Sequence, residues 1–162
     1  FAASGSSTYW QDTTPTSTVF SIGSDSAINA SNNEFIAYCF AEKQGFSKVN
    51  GSYTGNGNVD GPFCWCGFRP SFVMVKKKSE AREWMIWDSK RDSINPAKTV
   101  LHPDGNSAED DSTSYEMIDV LSNGFKLKQS DTDTNQSGGT YIFMAFAEAP
   151  FVNSKGVPNN AR

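Results

Sequence analysis

Two passages, "SDSAINASNNEFIAYCFAE" (Ser24 to Glu42) and "SDTDTNQSGGTYIFMAFAE" (Ser130 to Glu148), set the reading of this chain. Laid together without a gap they agree at Ser, Asp, Asn, Ser, Ile, Phe, Ala and Glu, with Phe35 over Tyr141. Each is a polar loop followed by a run that is apolar on both alternating faces. In the first run Phe35, Ala37, Cys39 and Ala41 point one way, and Ile36, Tyr38 and Phe40 the other. A strand of that kind lies mid-sheet with material packed on each side. Each run spans about nine residues, is rich in aromatics and follows turn residues, so strand is preferred over helix. The repetition predicts two equivalent central strands, each after a short edge segment and a loop, and related by a pseudo-twofold.

Turn signals recur throughout the rest of the chain. "FCWC" and "SFVMVK" read as strands around "GFRP"; "EWMIWD", "KTVLHP" and "YEMIDVL" read as further strands. "SNG" ahead of "FKLK" carries Asn123-Gly124, a hairpin signal. About ten short strands at ~8–12-residue spacing predict an all-β fold, a two-sheet β-sandwich of the jelly-roll or concanavalin-like kind. Residues 1–18 read as an extended arm, 19–150 as the sandwich, with a strand at Val19 to Ile22, and 151–162 as a tail.

The 162 residues suffice for one domain with a real core. A net charge of -4 argues against nucleic acid, which needs a basic stripe. The one basic run, Lys76-Lys77-Lys78, reads as a solvated strand end. No stretch approaches the ~20 apolar residues of a membrane helix. The first residues lack signal-peptide features and an initiator Met, which predicts a processed product or a piece of a longer chain. Three cysteines, with Cys39 in an apolar run, favour reduced thiols and assembly in a cytoplasm. Cys64 and Cys66 point to one face of a strand, and a zinc site would need two more ligands near a chain whose one histidine is His102.

"DTDTNQ" (Asp131 to Gln136) opens like a calcium loop, with Asp131, Asp133 and Asn135 at alternate positions. It lacks the sixth-place glycine and the closing glutamate, so turn chemistry is preferred. Glu42 and Glu148 at equivalent strand ends would suit glycoside hydrolysis only at a suitable separation. Glu109-Asp110-Asp111 has Ser114 where a glucanase strand needs its last Glu. A triad through His102 has no nucleophile elbow to pair with. Trp65, Trp84 and Trp87, with Tyr53 and Tyr9, could supply a sugar-stacking ring, although core packing is the commoner use. Two polar loops are candidate binding elements. Gly51 to Gly61 carries Tyr53, Asn56, Asn58 and Asp60; Asp104 to Ser114 carries Asp104, Asn106, Asp110 and Asp111.

"FIAYCFAEKQGFSK", "GSYTGNG", "GFRPSFVMVK", "DSKRD", "SNGFK" and "GGTYIFMAFAEAPF", in that order, resemble a carboxyl-terminal module of bacteriophage tail and other virion proteins. The likeness runs from about Thr8 to Arg162, and "CWC" departs from it. It implies a non-enzymatic virion component, tail-fibre or tail-associated, without cofactor. It also implies a homo-oligomer, a trimer first, that meets other virion proteins and a host-surface glycan or protein. The alternatives are a decoration or fibre-assembly protein and a polysaccharide hydrolase.

Overall fold

The computed structural model describes residues 7–111 and 117–149. The tail, Phe1 to Ser6, Ser112 to Ser114 of the acidic loop and the start of "YEMIDVL" lie outside them. The chain divides into two compact units, Phe1–Cys39 and Phe40–Arg162.

The first unit contains two single-turn helices, α1 (Ser7–Trp10) and α2 (Ser26–Asn29). The segment read as an extended arm therefore starts with a helical turn, which ends where Gln11 and Asp12 take positive φ (52° and 48°). Asp25 caps α2 by accepting the N–H of Ala27 at 2.8 Å, one of the orphan donors of a helix start. Val19 to Ile22 is not a strand; Val19 instead closes a turn on Thr16.

The largest correction concerns the first copy of the repeat. Residues 34–42 form no strand, Phe35, Ile36, Tyr38 and Phe40 are exposed, and Cys39 is exposed rather than buried. The loop halves of the two copies do agree. Asn29 N–H donates to Asp25 O at 2.9 Å as Asn135 N–H donates to Asp131 O at 3.0 Å. Asp131 likewise accepts the N–H of Asp133 at 2.7 Å. The copies part at the strand, because only the second finds neighbours for its backbone.

The second unit has seven strands among the described residues: β1 (Ser47–Thr54), β2 (Phe63–Trp65), β3 (Pro70–Lys77), β4 (Trp84–Asp88), β5 (Ile118–Leu121), β6 (Gly124–Leu127) and β7 (Thr140–Ala147). "KTVLHP" contributes isolated bridges, Val100 to Asp110 and Leu101 to Ile86, rather than a full strand, and Ala97 just ahead of it bridges to Ile118. The sheets have the orders β1-β7-β3-β4 and β2-β6-β5, with every pairing antiparallel.

β7 takes the central place its two-faced pattern predicts, between β1 and β3. Tyr141, Phe143 and Ala145 are buried, while Ile142, Met144 and Phe146 on the other face are half-buried. Val73 and Val75 of β3 and Met85 and Trp87 of β4 share the buried side. Cys64, Ile118, Val120, Phe125 and Leu127 of the other sheet join the same core, and the rings of Phe125 and Phe143 meet edge-on at 5.0 Å. Cys64 and Cys66 do share one buried face, with Trp65 exposed between them.

Candidate functional site

Antiparallel pairing gathers several connections at one end of the second unit. There β1 and β3 finish, and β4 and β7 begin: Thr54 pairs with Thr140, Lys77 with Tyr141, and Lys76 with Trp84. The connections that meet there are residues 55–61, 78–83, 102–104 and 128–139.

The first of them is held by a single buried side chain. Asn135 accepts the N–H of Asn56 at 2.9 Å through Oδ1. Its Nδ2 donates to Asn58 O and Gln129 O, each at 2.8 Å, and to Asn56 Oδ1 at 3.1 Å. Asn56 and Asn58 then form successive Asx turns, accepting the N–H groups of Asn58 (3.0 Å) and Asp60 (2.9 Å). Gly57, at φ 66°, takes the left-handed turn that this path requires.

Lys77 corrects the reading of the basic run. Strand alternation places it on the same face as Val73 and Val75, and it is buried. Its ammonium meets Glu80 at 3.0 Å and donates to Gln136 Oε1. Arg82 continues the chain of charges, 3.4 Å from both Glu80 and Asp133. The Lys77 hydrogen bond holds the Glu80 carboxyl below its ordinary range. Removal from water pushes Asp133 up, against the pull of Arg82. His102 Nδ1 lies 3.1 Å from Glu83 Oε2.

The candidates from the sequence separate into three groups. Asn56, Asn58 and Asp60 belong to this end, and Lys126 at 2.6 Å holds the Asp60 carboxyl below its ordinary range through a hydrogen bond. Asp104 joins them by accepting the N–H of Trp84 at 3.0 Å. Tyr53 is scaffold: its ring stacks on Tyr141 at 4.8 Å and its hydroxyl donates to Thr134 O at 2.7 Å. Burial raises its pKa well above the ordinary tyrosine value. Asn106 is exposed on the connection that leaves this end. Asp110 pairs with Val100, and Glu109 contacts Arg91 beyond the far end of β4, so Asp110 and Asp111 stand apart.

The oxygens of the calcium-like loop serve the fold. Asp131 accepts the N–H groups of Asp133 and Thr134 and the Thr134 hydroxyl. Among the described residues no three His, Cys, Asp or Glu side chains group closely enough to hold a metal ion. Of the four tryptophans, Trp87 is buried in the core, Trp84 is half-buried and Trp65 is exposed on β2 beside exposed Phe63. The burial of Cys64 and Cys66 suppresses thiolate formation, with Cys66 pushed up to about 12.

Sequence reasoning missed Lys77, Glu80, Arg82 and Gln136. The signal for Lys77 was available in the two-residue period of "SFVMVKK"; the others have none short of the fold. The arrangement is a fixed backbone that presents amides and carboxylates to solvent, chemistry suited to hydrogen-bonding recognition.

No curated protein and no solved structure matches the chain. Residues 2–150 match the family model described as Domain of unknown function (DUF7483), and the chain belongs to that family.

Proposed function

We propose that this chain is a non-enzymatic structural module of a bacteriophage virion, tail-fibre or tail-associated, whose loop end is displayed for adhesion to a host surface. The observation that carries the reading is the Asn135 network. It fixes an exposed polar loop from beneath, so that binding pays little ordering entropy. The ligand class is a surface glycan or a polar protein patch, met by amides and carboxylates without cofactor. The shared core and the Phe125–Phe143 contact support stacking of the two sheets as a β-sandwich of jelly-roll or concanavalin-like type. The copies assemble as a homo-oligomer, a trimer in the first instance, beside other virion proteins, after synthesis in the host cytoplasm.

A second reading, decoration or fibre assembly without host contact, is favoured by the exposed apolar run Phe35 to Phe40. Gold-labelled antibody against the chain, applied to intact particles, separates these from a non-virion role. Label confined to the head excludes the first reading; label on the tail fits both, and binding of the chain to isolated host envelopes then separates them. Particles without label exclude both.

A further inference from the structure

The segment Glu34 to Ala41 carries a strand's sequence without a strand's partners. Among the described residues, 34–40 make no hydrogen bond, and Ile36 and Tyr38 are each 80% exposed. Seven successive residues thus leave their backbone donors and acceptors to water while holding large apolar side chains there. Water satisfies the backbone groups, but the exposed apolar area is unfavourable.

Three observations identify what the segment lacks. Its aligned counterpart is β7, which takes a neighbour on each side. The loop ahead of it already has the counterpart's geometry, the Asp cap and the Asn29-to-Asp25 backbone bond. The chain also begins a hairpin and leaves it. Lys43 and Ser47 exchange both backbone hydrogen bonds and Glu42 pairs with Lys48 at 2.9 Å, yet the ladder goes no further. β1, meanwhile, stands at the edge of its sheet. A strand with two apolar faces does not suit the rim of a lone sheet; it suits the seam where two sheets join.

We infer that residues 34–41 add as a strand to the β1 edge of a second copy of this chain, which beyond Ser47 takes no neighbouring strand among the described residues, and that this exchange holds the oligomer together. The area is sufficient. A whole aromatic side chain offers ~150–250 Å², so the exposed parts of Phe35, Ile36, Tyr38 and Phe40 present on the order of 400–500 Å² per copy. Each segment covers a similar area on its partner. Exchange in both directions then reaches the ~1,200–2,000 Å² of a specific interface. The inference rests on the reading that copies assemble, and not on what their loops bind.

The test is sedimentation velocity across a dilution series. It compares the wild-type chain, Ile36→Asp with Tyr38→Asp, Ala37→Pro, and the control Ile94→Asp, an exposed apolar residue elsewhere. Core tryptophan fluorescence checks the fold of each. The expected result is a wild-type and control multimer that falls to the mass of one chain in both segment variants. Labelling of Cys39, the exposed thiol within the segment, gives a second readout that needs no substitution. It is expected to be slow in the multimer and to quicken on dilution. A single-chain mass at every concentration overturns the inference and the assembly reading with it. A multimer indifferent to the segment variants overturns the inference alone. So does protection of amides 35–41 that is independent of concentration, since the segment then pairs within its own chain.

Discussion

Asn135 carries more of this structure than its place in the sequence suggests. Its carboxamide is fully buried and joins residues about eighty positions apart in the chain. Asn135→Ala leaves the groups it served without partners, and each buried unsatisfied group costs ~1–3 kcal/mol. Part of the loop can turn to water, so the expected loss is on the order of 2–4 kcal/mol, read from the midpoint of urea unfolding at constant slope. The calcium-like spacing of Asp131, Asp133 and Asn135 was visible in the sequence, but its use was not. Alternate oxygens serve a turn as well as an ion, and only the packed neighbours distinguish the two. Glu80 gives a pH-dependent prediction. Its folded pKa lies below the unfolded value, so it contributes stability above the unfolded pKa, about 4.3, and loses that contribution as pH falls through the folded value. Glu80→Gln is therefore expected to be less stable than wild type at neutral pH. In paired thermal melts the deficit should close on acidification; a deficit that stays constant with pH contradicts the assignment.

β7 and the segment it resembles show what sequence alone could and could not tell. Alternation, aromatics and turn residues placed β7 in mid-sheet, and β2, β3 and β4 lie where "FCWC", "SFVMVK" and "EWMIWD" put them. The same signals in residues 35–41 gave a strand that the single chain does not form, because propensity describes what a segment fits and not whether a partner edge is present. The hairpin before "FKLK" exists, with Ser122 and Asn123 at its corner and Gly124 already paired in β6. Gly124 is small for a different reason from the one its dipeptide suggests. A Cβ there would sit 2.1 Å from the carbonyl oxygen of Cys64. That oxygen belongs to the neighbouring strand and cannot turn aside. Gly124→Ala is expected to cost about 1–3 kcal/mol or more and to speed amide exchange across Phe63 to Trp65. Gly105→Ala, with no atom nearer than 3.9 Å, is expected to change neither measurably.

Taken as a whole, the chain is a two-sheet protein with one core in its larger unit, and that much was legible from composition and turn spacing. The division at Cys39 and the gathering of four connections at one end were not, since both depend on pairings between distant residues. The end so formed joins fixed amides to an exposed rim at Val59 and Asp60, which is the surface proposed to meet the host. Binding of the full chain to an array of bacterial surface polysaccharides and to isolated cell envelopes tests that assignment most directly. Wild-type protein is expected to bind, Val59→Asp to lose binding at unchanged melting temperature, Asp60→Asn to lose it with only the small drop in melting temperature that weakening an exposed ion pair brings, and Lys90→Glu, beyond the far end of β4, to retain it. Binding that survives both loop substitutions, or no binding to any envelope, would contradict the account.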